Sequence, residues 1–147
     1  MSENTWNVIT GSHDLLRNAA ALISDANADA PTPCSAWTVT QVLQHAVGDQ
    51  LAWAAAIGVG TGPSENPFTP SGVLEESVDE LIEPALATAA TAWAGVRADD
   101  EAVPTPLPQG AMPTPTAAAA CALDAADDHV AELLRYLGRD PQWGASH

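Results

Sequence analysis

The chain contains no lysine. All four basic residues are arginines, set against 19 Asp and Glu, and the formal net charge is -15. Without a side-chain amine the protein cannot form a Schiff base on itself, so imine catalysis of that kind is excluded. The charge imbalance argues against nucleic acid and anionic membranes as partners, because both need a basic surface. The acidity reads as a solvated, aggregation-resistant exterior. Aromatic and strand-forming residues are also sparse: there is one Phe and one Tyr, while alanine is abundant. That balance favours helices. No apolar run reaches the roughly 20 residues that span a bilayer, and no basic-then-apolar leader opens the chain. A soluble cytoplasmic protein is the expectation. Two cysteines, Cys34 and Cys121, are too few for a disulfide framework at this length. Both read as small buried hydrophobes, and no neighbouring cation in sequence is placed to activate Cys34.

What is present is helical periodicity in a chain of 147 residues, long enough for one domain with a proper core. The first helix is predicted from about Ser12 or earlier to Ala26, with Leu15, Leu16, Ala19, Leu22 and Ile23 on one side. The second runs from Val39 to Ile57 and stops before a Gly- and Pro-rich stretch that continues to Pro70. The third begins near Ser71 and reaches Trp93, with Pro84 expected to kink or split it. A long Pro-rich connection around Val103–Gly110 follows. Thr114 and Pro115 then supply an N-cap and a first-turn proline for a fourth helix reaching Leu137, with Gly138 as its stop. The predicted fold is an all-α four-helix bundle over residues 1–138, followed by a tail at 139–147.

The stretch Thr32-Pro33-Cys34-Ser35-Ala36-Trp37-Thr38-Val39, running on to His45, carries the most information. Thr38 and Gln41 have capping-box spacing, and Val39, Val42, Leu43, Ala46 and Val47 form an apolar stripe with His45 at its edge. Near the C-terminus stands His129-Val130-Ala131-Glu132-Leu133-Leu134-Arg135-Tyr136-Leu137-Gly138. Together these segments resemble the DinB-like superfamily, in particular the N-terminal domain of mycothiol-dependent maleylpyruvate isomerase. The first segment is similar to that family's T-P-C-x-x-W-x-V run before a metal-binding His. The second is similar to its H-x-W-D-L-A-R-A-x-G run, with Ala131 at the family's Trp and Glu132 at its Asp.

The resemblance implies a divalent metal, Zn or Ni, held by His45, by His129 and by an acidic residue one helical turn before His129. That last position is Ala125, which cannot coordinate. Asp124 would reach the site if a π-bulge absorbed the extra residue, and Asp128 could otherwise contribute an oxygen from the flank. Asp49 and Gln41 lie one turn either side of His45 and could hold its second nitrogen, or could simply be solvated. Arg135 either pairs with nearby carboxylates or anchors an anionic substrate. Trp37 and Trp53 either pack in the core or wall a cavity. His13 and His147 read as surface or tail residues. The implied activity is a metal-dependent transferase or isomerase using a low-molecular-weight thiol such as mycothiol on a small electrophilic molecule. Because the resemblance leaves out the isomerase's second domain, maleylpyruvate is not the expected substrate. The alternative is a metal-free bundle whose pocket binds or converts a small apolar metabolite, with His45 and His129 as acid and base. Self-association as a homodimer would be in keeping with such bundles.

Overall fold

The structure is a computed structural model that describes residues 3–24, 28–29, 37–64, 66–97, 100–108 and 110–125, with backbone alone at 3–7 and 123–125. Among these residues the elements are α1 (Glu3–Ala21), α2 (Val39–Ile57), α3 (Val78–Ala94), β1 (Ala102–Val103), β2 (Met112–Pro113) and α4 (Thr114–Ala125). The fold is the expected all-α bundle.

Helix α2 is bounded by local chemistry at both ends. Thr38 accepts from the Gln41 N–H while the Gln41 side chain accepts from the Thr38 N–H at 2.9 Å, completing the capping box. At the other end Gly58 adopts φ 120°, and the Val59 and Gly58 N–H groups return to the Ala54 and Ala55 carbonyls. That pairing satisfies carbonyls a helix end otherwise leaves open.

The other helices depart from the sequence reading in instructive ways. Helix α1 takes the earlier start, at Glu3, and stops at Ala21 rather than Ala26, with the Leu22 and Ile23 N–H groups turned back onto Ala19 and Ala20. Helix α3 begins at Val78, not near Ser71, because Ser77 caps it by accepting from the Glu80 N–H at 3.2 Å. Gln44 of α2 holds the preceding segment as loop, accepting from Gly72 N–H at 2.8 Å and donating to the Val73 carbonyl at 2.9 Å. Pro84 does not split α3. It is exposed, so water can solvate the carbonyl one turn earlier that it leaves without a donor. The Pro-rich connection contains a short antiparallel ladder, Ala102 opposite Pro113 and Val103 opposite Met112, which periodicity does not foretell.

Helices α1 and α2 each pack against both α3 and α4, which sets α1 diagonally opposite α2. One apolar cluster joins Leu16, Val42, Leu43, Ile82 and Leu86, and a second joins Trp53, Trp93, Val103, Ala117 and Cys121. A polar bridge crosses the bundle between the diagonal helices. His13, expected at the surface, is only 4% exposed, and its Nε2 lies 2.9 Å from Oε1 of the fully buried Gln50. Gln50 Nε2 donates to the Cys121 carbonyl at 3.2 Å. A carbonyl can only accept, so this contact orients the Gln50 amide and makes His13 Nε2 the hydrogen-bearing nitrogen. The Trp93 indole N–H donates to Cys121 Sγ at 3.3 Å, and the thiol lies 3.5 Å from Gln50 Oε1. Burial holds His13 below the ordinary histidine range, opposed by the Gln50 bond, with Arg17 lowering it and Asp14 raising it by smaller amounts.

Replacing Gln50 with Leu leaves the His13 N–H buried without its partner, while the Cys121 carbonyl keeps its bond within α4. Urea denaturation should report a loss of about 1–3 kcal/mol, the cost of one orphaned buried donor. The neutral imidazole also makes stability pH-dependent. Its contribution is complete above 6.5, the unfolded value, and is lost as pH falls through the depressed folded value. Between about pH 7 and about pH 5 the wild type should lose more stability than His13→Gln; parallel curves would count against this account.

Candidate functional site

His45 sits where the apolar stripe of α2 meets the loop between α2 and α3, and is 9% exposed. Its Nδ1 lies 2.7 Å from the Pro67 carbonyl oxygen. Because that oxygen only accepts, Nδ1 carries the hydrogen, and in the neutral ring Nε2 presents its lone pair. Nε2 stands 3.3 Å from Asp49 Oδ2, one turn further along α2, and the two side chains are 11% and 13% exposed. Among the described residues two aromatic rings meet the imidazole, Trp37 with centroids 4.7 Å apart and Phe68 at 5.5 Å. Phe68 is itself 67% exposed.

The Pro67 carbonyl is brought to His45 by a close contact between loop and helix. A Cβ at position 48 would stand 2.9 Å from Pro67 Cγ and 3.0 Å from its Cβ, so the seat exists only because α2 has glycine there. Asn66 shapes the turn, accepting from the Phe68 N–H at 2.9 Å through its side chain and from the Thr69 N–H at 3.0 Å through its carbonyl. Gln41 and Gln44 then fasten the later part of the loop to α2, Gln41 Nε2 donating to the Pro70 carbonyl at 3.1 Å. On the far side of Gly48 and Pro67 lies a cleft of about 440 Å³ bordered by Gln44, Val47, Leu51 and Leu81; His45 does not line it. His45 and Asp49 both lie outside this cleft.

Of the residues proposed from sequence, His45, Asp49 and Trp37 come together. Gln41 is occupied by its cap and by Pro70. Trp53 is completely buried and packs against Trp93, ring centroids 6.1 Å apart, in the bundle core rather than beside His45. Asp124 belongs to the α4 backbone, and its side chain lies outside what is described. Asp128, His129 and Arg135 fall outside the described residues. Within the described residues no three His, Cys, Asp or Glu side chains are grouped to hold a metal. Sequence reasoning missed Pro67, Phe68 and Gly48; the only available signal was a glycine beside His45 on a helix otherwise rich in larger residues.

A family model described as the mycothiol maleylpyruvate isomerase N-terminal domain matches residues 9–126. The chain belongs to this family. The matched span contains His45, Asp49, Pro67 and Asp124 and ends before Asp128 and His129. Two relatives, the uncharacterized proteins MT0763 and Rv0738 of Mycobacterium tuberculosis, are each 39% identical over 61 residues, covering 37% of this chain and 30% of the relative's length. No solved structure gives a significant match. Among the described residues of this isomerase-family domain, no helix is long and apolar enough to cross a membrane.

The Gly48–Pro67 contact makes a direct test of how His45 is held. In Gly48→Ala the added methyl must displace Pro67, at a cost of about 1–3 kcal/mol for overpacking. Nitrogen-15 NMR of the wild-type imidazole should show hydrogen on Nδ1, and Gly48→Ala should give a mixture of tautomers. An unchanged tautomer would mean that the Pro67 carbonyl does not set it.

Proposed function

We propose that this chain binds a divalent metal at His45 and acts as a metal-dependent transferase or isomerase on a small electrophilic molecule, with a low-molecular-weight thiol such as mycothiol as co-substrate. Membership of the mycothiol maleylpyruvate isomerase N-terminal domain family supports the thiol. The observation that carries the metal is the 2.7 Å bond from His45 Nδ1 to the Pro67 carbonyl. A metal-binding histidine characteristically gives its other N–H to a carbonyl or carboxylate, which fixes the ring and aims the remaining lone pair. A nitrogen and a carboxylate oxygen side by side form a donor set suited to Zn or Ni.

In this reading His45 and His129 hold the ion, with a carboxylate completing the set. Bound there, a divalent metal supplies Lewis acidity, favouring the thiolate form of a thiol and polarising a substrate oxygen. The chain's own residues do the rest. Pro67 keeps the lone pair of Nε2 available, Gly48 lets Pro67 reach it, and Trp37 and Phe68 provide an apolar surface beside the imidazole. Ala125, at the position where the family resemblance implies an acidic ligand, favours a second reading, in which His45 and His129 work without metal as acid and base on a small apolar metabolite.

Elemental analysis of protein purified without a His-tag or chelator separates the two. The metal reading expects near-stoichiometric Zn or Ni in the wild type, almost none in His45→Ala, and a melting temperature that falls when chelator is added. Protein that takes up no metal, and whose melting temperature ignores chelator, would leave the metal-free reading.

A further inference from the structure

We infer that the hollow between α1 and α3 binds a small, uncharged, hydroxylated aromatic molecule whose O–H donates to His13 Nδ1. The hollow holds about 390 Å³, within the range of small-molecule sites. It is bordered by Ile9, Thr10 and His13 of α1 and by Ala90, Trp93 and Ala94 of α3. Ile9, His13 and Trp93 are buried and make its floor, while Thr10, Ala90 and Ala94 are exposed at its rim. Helical spacing makes the shape. Ile9 and His13 stand four residues apart on one helix, and Ala90 and Ala94 four apart on the other. The two alanines leave open a space that longer side chains would fill.

His13 gives the hollow a chemical preference. Its Nε2 hydrogen is committed to Gln50, so Nδ1 carries a lone pair. Among the described residues Nδ1 has no hydrogen-bond partner. Every fully enclosed side-chain nitrogen or oxygen there does have one, so Nδ1 is not enclosed and meets the hollow that its ring borders. Burial favours the neutral ring and keeps that lone pair free of a proton. A buried acceptor gains from a donor and is costly to cover without one. The rest of the lining sets the class of ligand. Among the described residues no Asp, Glu or Arg borders the hollow, although the chain's formal net charge is -15. That overall charge disfavours an anion, and nothing in the lining pairs with a cation. Aliphatic carbon beside an indole suits a flat apolar body. An uncharged ring bearing an O–H meets each condition. The inference does not depend on how His45, on α2, does its work.

Phenol is the probe, added to the full-length wild type while long-range proton–nitrogen-15 NMR follows both ring nitrogens of each histidine. Saturable binding should move the His13 Nδ1 signal upfield, as a lone pair does on accepting a hydrogen bond, and leave the His45 ring unchanged. Anisole keeps the ring and the oxygen but has no hydrogen to give. It should leave Nδ1 unmoved and bind about tenfold more weakly. Ala90→Leu fills the rim from an exposed position and should weaken phenol binding by about tenfold or more, with circular dichroism confirming the fold. The wild-type spectra decide the question even if that variant does not fold. The inference fails if phenol shows no saturable binding, or if it binds like anisole with Nδ1 unmoved. It fails equally if phenol shifts the His45 ring instead, or if folded Ala90→Leu binds phenol as the wild type does. None of these outcomes bears on a metal at His45.

Discussion

The hydrogen bond from His45 Nδ1 to the Pro67 carbonyl is the contact on which the site depends. It joins a residue on a rigid helix to a loop residue 22 positions away, and each side of the join has a separate cause. On the helix, the capping box fixes where α2 starts and therefore which face His45 occupies. On the loop, Gly48 removes the methyl group that would keep Pro67 away. The carbonyl determines which ring nitrogen carries hydrogen, and so directs the other toward Asp49. A one-atom change on the neighbouring turn of α2 is enough to disturb all of this.

His13 and His45, the buried histidines among the described residues, illustrate how a partner's chemistry decides an imidazole's role. His13 gives its Nε2 hydrogen to the Gln50 amide in the middle of the bundle, and that amide is oriented by the Cys121 carbonyl. Its contacts tie α1, α2 and α4 together, and burial keeps it below the ordinary histidine range. His45 gives up its Nδ1 hydrogen instead, and keeps Nε2 beside a carboxylate at the edge of the bundle. The first arrangement closes a polar network; the second presents a donor. Cys121 belongs to the first, its sulfur accepting from the Trp93 indole in a fully buried position, which suits a packing thiol and not an accessible nucleophile.

Features written in neighbouring residues were legible in the sequence, and features that depend on distant chain were not. The cap, apolar stripe and terminator of α2 all lie within the helix and its flanks, and all appear as read. Helical spacing put Asp49 and Gln41 equally within reach of His45, and the structure pairs Asp49 with it while Gln41 serves the cap and Pro70. The start of α1 was obscured because Gly11, a poor helix former, interrupts the pattern. Once the helix is extended back to Glu3, Ile9, Ser12, His13, Leu16 and Ala20 share one buried face, and the interior position of His13 follows. Trp37 and Trp53 look alike in sequence, yet only their positions along the bundle set one against His45 and the other against Trp93. Pro67 could not be found by periodicity, because its contact with His45 spans a loop.

The most direct measurement is anomalous X-ray diffraction, recorded at the zinc absorption edge, from crystals of the zinc-loaded protein. The proposed metal reading expects one strong peak at bonding distance from His45 Nε2, with Nδ1 still bonded to the Pro67 carbonyl. A zinc peak elsewhere, or no peak at His45, would contradict it.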